Sequence, residues 1–382
     1  MARDEARAQC AQRICGLDLF EQLFRRFHVS RVAEITGFDR IGLAVFTATR
    51  PGGSSISIST GKASDRTASR AGAIAEAIEL DTAENPKKVD KLFGSYSQLA
   101  PCWPSELAPV CACSLWNIDT PIAWEIVHHV RTGEIATVPA DLVWCRQIVK
   151  TPFKYFMMGS NGLSFGYCLQ DAIYQGVLEL VERDAIALWR YRAKMRDQYP
   201  LPLYLDAETG SDLDRTLALV KGAGHPEPVF FNLSLGVTQI PVAHCVISEP
   251  GIGTFGGYGA ALSAEMAATR ALQEALQGRC VYIAGARDDI MRRLWATTRE
   301  MEFKPQNIRR TQCVSIDVPP TLEAQLDLLW WALPQELTKH LYYKILYQDE
   351  HFAAIRVLSL DLDVWPWDDY APRRRALEFV NK

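Results

Sequence analysis

The segment that most limits what this chain can fold into is GVLELVERDAIALW (176–189). Its spacing predicts one long helix, from about Leu169 to Arg192, that is apolar nearly all round. A helix of that kind is buried. Yet Glu179 and Glu182 stand three residues apart on one face, in line with Ile186 and Trp189. Unpaired carboxylates do not survive burial, so some cation must compensate them. Arg183 is one candidate and a bound metal ion is another. For this helix taken alone, a structural ion pair is an equally good reading.

Two further helices repeat the arrangement. AGAIAEAIEL (71–80), within a helix expected from about Ser64 to Ala83, places Glu76 and Glu79 one turn apart among small residues. RALQEALQGR (270–279), within a helix expected from about Ser263 to Ala284, lines up Arg270, Glu274 and Gln277. Either alone would read as a solvated face. The recurrence changes the balance. Hard oxygen ligands gathered from several helices suit Mg²⁺, and arginines beside them suit phosphate oxygens. That combination points to a metal–nucleotide site built without a P-loop. No GxxxxGK[ST] occurs, and the lone Gly61-Lys62 is a weak signal.

The rest of the chain sets the class. Of 382 residues, 48% are apolar and 23% charged, the balance of a soluble globular protein. Net charge is −4, and the absence of a basic stripe argues against nucleic acid as a partner. The N-terminus lacks the apolar core of a secretory signal, and apolar runs such as 328–334 fall short of the roughly 20 residues of a membrane span. Ten cysteines are scattered without CxxC pairs, as expected of reduced thiols in a cytoplasmic protein. Seven histidines show no HExxH, and His128-His129 would point to opposite sides of a strand, so a metal-dependent hydrolase has little support.

Residues 5–28 are expected to be helical, followed by strands over 41–48 and 54–60 joined by a turn at Pro51-Gly52-Gly53. Short strands and loops are expected over 85–155, and strands over 228–235 and 240–248. A glycine-rich stretch follows at 251–259, and the last ninety residues alternate helical and strand-like pieces. The fold class is α/β or α+β, with three prominent helices between sheet segments.

In order, SISTGKASDRTASRAGAIAEAIEL, SNGLSFGYCLQDAIYQGVLELVERDA and GYGAALSAEMAATRALQEALQGR resemble the three signature blocks of the YcaO family. SRVAEITGFDRIGLAVFTATRP (30–51) and DTPIAWEIVHHVRTGEIATVPADLV (119–143) resemble stretches of stand-alone members, many of which work with a TfuA partner. The resemblance implies an N-terminal helical segment over 1–28 and a YcaO domain over 29–382. Within that domain the signature blocks would span 54–290 and a C-terminal subdomain about 291–382. It implies mixed sheets with three long helices that bind ATP and Mg²⁺. It also implies activation of peptide backbone amides by phosphorylation, giving an azoline or a thioamide in a ribosomally made peptide.

Carried over by position, Glu76, Glu79, Glu179, Glu182 and Glu274 would hold metal ions, with Glu179, Glu182 and Arg183 at the catalytic centre. Asn161, Arg183, Arg270, Gln277 and Lys62 would serve the nucleotide. The chain departs from the family pattern at Gly72, Leu80 and Ala63, and places Gln9 and Gly16 where a basic and a hydroxyl residue are usual; Arg7 and Arg13 lie close by. It ends APRRRALEFVNK, without a proline-rich tail. A separate partner protein that delivers the peptide or the sulfur is expected, and a homodimer is plausible from the resemblance. The competing reading is a degenerate scaffold that binds a peptide or partner without catalysis.

Overall fold

The computed structural model describes residues 2–90, 92–148, 150, 154–205, 207–235, 238–287, 317–365, 370 and 372–381. Its main helices are α1 (Arg3–Cys15), α2 (Arg66–Glu84), α3 (Leu169–Arg196), α4 (Asp212–Gly222), α5 (Ala264–Ala284), α6 (Leu322–Ala332) and α7 (Arg374–Val380). The strands are β1 (Arg31–Glu34), β2 (Ala44–Thr49), β3 (Ile58–Ala63), β4 (Leu92–Gly94), β5 (Ile122–His129) and β6 (Ile135–Pro139). They continue with β7 (Leu163–Gly166), β8 (Val229–Asn232), β9 (Val242–Glu249), β10 (Gly253–Ala260), β11 (Leu341–Gln348) and β12 (Ala353–Ser359). The chain divides into two compact units, one of residues 1–78 and 199–332, the other of 79–198 and 333–382.

The first unit contains two three-stranded antiparallel sheets, β1-β2-β3 and β10-β9-β8. The expected hairpin forms, with Thr47 opposite Thr60, but β3 starts later than the alternation predicts. The reason is local: Arg50 N donates to Ser57 O and Arg50 Nη2 to Ile56 O, so residues up to 57 belong to the turn. The glycine-rich stretch is a strand rather than a loop. A side chain on Gly257 would set its Cβ 2.2 Å from Ala271 O and 2.3 Å from Ala275 N. Only glycine lets β10 lie flush on α5, whose inward face is the small-residue row Ala267, Ala271 and Ala275. Phe255, Cys245, Ile247, Leu272 and Leu276 complete that core. A buried Phe of this kind is worth about 1.5–3 kcal/mol in transfer free energy.

The single helix expected over 5–28 is broken. α1 ends at Gly16, whose N–H turns back to the Arg13 and Gln12 carbonyls, and a π-helical turn follows at Leu19–Phe24. Glycine is a weak helix former and a common terminator, which the apolar periodicity did not register.

The second unit is a six-stranded antiparallel sheet in the order β4-β5-β11-β12-β7, with β6 beside β5. Trp103, Trp124, Trp144 and Phe156 fill a core with Val127, Val138 and Leu360. α3 lies along β7 and β12, and α7 lies along α3. Asp184 of α3 is 1% exposed and receives Arg375 of α7 through both oxygens, while Trp189 meets Phe379 edge to face. His128 and His129 occupy successive positions of β5 and so face opposite sides; they pair with Tyr343 and Tyr342 of β11. Among the described residues no helix is long and apolar enough to cross a membrane.

Candidate functional site

Each of the three expected helices is preceded by a strand, and in each case a backbone N–H on that strand or immediately before it donates to a helix carboxylate. Thr60 N on β3 donates to Glu76 Oε2 on α2 at 2.7 Å, sixteen residues on. Tyr258 N on β10 donates to Glu274 Oε2 on α5 at 2.8 Å, again sixteen residues on. Gly162 N, just before β7, donates to Glu179 Oε2 on α3 at 3.2 Å, seventeen residues on. One local unit thus occurs three times: a strand, a turn, and a helix whose carboxylate sits on a backbone N–H of the strand or of the residue just before it. Close approach makes it possible. A Cβ on Gly61 would lie 1.9 Å from Ser69 O and 2.3 Å from Ala73 N, so β3 needs glycine there just as β10 does at Gly257.

In the first unit the seats are joined. Gln277 Nε2 reaches Thr60 Oγ1 at 2.5 Å, which ties α5 to the same strand residue that holds Glu76. Gln277 is buried, whereas Glu76, Glu274 and Arg270 are half-buried. Arg270 Nη1 donates to Ala260 O at 2.9 Å. Burial pushes the Glu76 carboxyl above its usual range, against the Thr60 N–H and the charges of Arg287 and Lys62, with Glu274 adding to the upward push. Lys62 lies on β3, opposite Val45. Among the described residues neither Glu76 nor Glu274 forms an ion pair with a lysine or arginine.

In the second unit the cation is the protein's own. Arg183 Nε lies 3.6 Å from Glu179 Oε1, and Arg183 Nη2 lies 3.7 Å from Glu182 Oε1. Burial still raises the Glu179 carboxyl, opposed by Arg183, then Arg356 and the Gly162 N–H. Of the two compensations considered from sequence, arginine and metal, the arginine is in place. Asn161 Nδ2 donates to Val364 O at 2.7 Å, which fixes the amide beside the Gly162 turn. Glu79, one turn beyond Glu76 on α2, falls on the second unit's side of the division and is half-buried.

Among the described residues no three His, Cys, Asp or Glu side chains gather into a metal-binding group. The carboxylates are single seats instead. That arrangement fits Mg²⁺ carried by a polyphosphate, since this ion takes one or two carboxylates and completes its shell with phosphate and water. Glu76 fits it best, being held above its usual range by burial with no contact cation to offset the cost. Sequence reasoning found the helices and their acids but missed the strand donors, because backbone N–H groups leave no side-chain signature. It also missed Arg356, although an arginine inside the apolar strand AAIRVLS (353–359) is a visible anomaly.

Comparisons with known proteins bear on the family and the fold. Residues 60–338 match the family model described as YcaO cyclodehydratase, ATP- and Mg²⁺-binding. An uncharacterized protein of Methanothermobacter thermautotrophicus is 26% identical over 368 residues, covering 91% of this chain and 93% of that protein. A protein described as lying in the tfuA 3′ region of Rhizobium leguminosarum bv. trifolii is 28% identical over 285 residues, covering 71% of this chain and 66% of that one. Among solved structures, YcaO from Methanopyrus kandleri, bound with AMPPCP and Mg²⁺, superposes with a TM-score of 0.70 at 20% identity, covering 96% of this chain and 95% of the other. The Escherichia coli microcin synthetase McbBCD complex with bound pro-MccB17 gives 0.67 at 16% identity, with 87% and 88% covered. At these identities the structural likeness speaks to the fold, a mixed α/β architecture with several antiparallel sheets.

Proposed function

This chain belongs to the YcaO family of ATP- and Mg²⁺-binding cyclodehydratases, and from that premise we propose that it activates backbone amides of a ribosomally made peptide. The observation that carries the reading is the threefold carboxylate seat: Glu76, Glu179 and Glu274, each held by a backbone N–H sixteen or seventeen residues earlier. Of these, Glu76 is held at a desolvation cost that no contact cation offsets, which calls for a cationic ligand.

ATP supplies the phosphoryl group that makes an amide oxygen able to leave, and Mg²⁺ neutralises its phosphates. The chain's residues supply position and charge. Glu76, Glu79 and Glu274, with Glu179 and Glu182, are assigned as metal ligands. The backbone seats of Glu76, Glu179 and Glu274 hold those carboxylates in place before any ligand arrives, so they need no reorganisation at the moment of reaction. Arg183 and Arg270 are assigned to phosphate oxygens, Lys62 and Gln277 to the nucleotide side, and Asn161 to the nucleotide pocket. Addition of a Cys, Ser or Thr side chain of the peptide to the activated carbon, with the amide oxygen leaving as inorganic phosphate, would give an azoline; addition of external sulfide with the same loss of phosphate would give a thioamide. The tfuA-region relative supports a separate TfuA-like partner, and the microcin synthetase complex supports delivery of the peptide by partner proteins.

Mass spectrometry of a co-expressed precursor peptide tests the reading. Loss of about 18 Da per site marks cyclodehydration, and a gain of about 16 Da marks exchange of oxygen for sulfur. Glu182→Gln should abolish the change while leaving the fold intact; modification at the normal rate would remove Glu182 from the site. Calorimetry with ATP and Mg²⁺ that detects no binding, even with the partner present, would instead favour a non-catalytic scaffold.

A further inference from the structure

Arg356 of β12 is 1% exposed and lies in a strand buried along its whole length. Its Nε donates to Val143 O at 3.0 Å and its Nη1 to Asn161 O at 2.6 Å. Its Nη2 donates to Gly159 O at 2.7 Å and lies 3.3 Å from Cys145 Sγ. None of the four partners is a carboxylate, and among the described residues Arg356 forms no ion pair. A buried guanidinium without a contact carboxylate is expensive, and a core built for stability alone would place an apolar side chain there.

The cost has a local return. The next residue on the strand, Val357, donates its N–H to Gly162 O at 2.7 Å. Two consecutive residues of β12 therefore hold the carbonyls of Gly159, Asn161 and Gly162. Gly162 N is the donor that seats Glu179. The Arg356 charge is also one of those that favour ionised Glu179, after Arg183.

We propose that Arg356 is a positioning residue for the amide-activating reaction: its guanidinium fixes the turn at 159–162 so that Asn161 and the Gly162 N–H stay in register with Glu179. The assignment of Glu179 as a metal ligand comes from the proposed function, whereas the holding of the turn does not depend on it. The guanidinium is the group suited to this task. Its rigid fork presents donors in three directions, and lysine concentrates its donors at one point. Charge alone would therefore not replace it.

Arg356→Lys and Arg356→Met, purified as full chains and checked for native melting, test the proposal. Hydrogen exchange at residues 159–163 should accelerate at least about tenfold in both variants, without comparable change in the middle of α3. Mn²⁺, used alone as a stand-in cation, should bind about tenfold more weakly. Precursor modification should fall about a hundredfold in kcat with little change in peptide KM. Unchanged exchange and Mn²⁺ affinity in folded Arg356→Met overturn the proposal whatever turnover does. Full restoration by Arg356→Lys overturns the fork, leaving only charge. Failure of both variants to fold makes Arg356 a core stability element and also overturns it. If the wild-type chain neither binds nor turns over ATP while exchange still depends on Arg356, the ATP reading falls and the hold on the turn stands.

Discussion

The carboxylate seats of the two units are built alike and compensated differently. In the first, Glu76 and Glu274 rest on strand N–H groups, with Gln277 bridging to Thr60 and with Lys62 and Arg287 acting on Glu76 only through space. In the second, Glu179 rests on Gly162 N but also meets Arg183, which reaches Glu182 as well. The backbone seat fixes where a carboxylate stands. It contributes dipoles rather than a full charge, so the first unit is left with the greater unmet demand for a cation. Under the proposed function, the difference predicts separate roles: an external cation for the seats of the first unit, and a resident arginine for Glu179 and Glu182 in the second.

The largest effect that would test this division is at Glu76. Glu76→Gln keeps an oxygen for the Thr60 N–H and removes the charge. Peptide modification should drop at least about a thousandfold, because a ligand's field at the phosphates is lost. Metal-free thermal stability should stay level or rise, since the buried charge was a cost. A fall in metal-free stability together with normal activity would break the comparison at its root.

Arg183 and Lys62 give the intermediate effect. Arg183→Met removes the contact cation from Glu179 and Glu182 and should cost about 1–2 kcal/mol after solvent screening, with turnover down about a hundredfold. Lys62→Met, which removes a charge acting on Glu76 only at longer range, should change metal-free stability by less than about 0.5 kcal/mol. Chemical denaturation of the two variants side by side checks this. Equal losses would mean that the first unit also relies on its own cations.

Which parts of this were readable in advance follows from where the information resides. The three helices were legible because side chains at 3.6-residue spacing encode them: the third was expected over Ser263 to Ala284 and is found at Ala264–Ala284. α3 runs one turn past its expected end, to Arg196, closed by Asp197 in the left-handed conformation. The strand β10 was opaque, since GTFGGYGA carries hardly any side chains to alternate, and its existence depends on what lies against it. The acids of the site were legible for the opposite reason, as charges where charges are costly. Their seats were not. A backbone donor looks the same in every residue, so the sixteen- or seventeen-residue spacing from Thr60, Tyr258 and Gly162 emerges only once strand and helix are laid together.

The smallest effect concerns protons. Burial raises both Glu76 and Glu179 above their usual range, so the folded chain binds protons at these sites more readily than the unfolded chain does. The stability they contribute is therefore fully present below the ordinary glutamate value of about 4.3 and is lost as pH rises through their folded values. Metal-free protein should melt at a slightly lower temperature well above that ordinary value than close to it on account of these groups. Mg²⁺ with a nucleotide should reverse the trend, because a cation binds the ionised form and competes with the proton. Glu76→Gln and Glu179→Gln should each flatten the metal-free slope, and Glu76→Gln by more, since Arg183 already offsets part of the cost at Glu179. Melting curves of the three proteins across that range decide the point. A steeper loss in Glu179→Gln than in wild type, or equal flattening by both variants, would show that the arginine contact does not set the two seats apart.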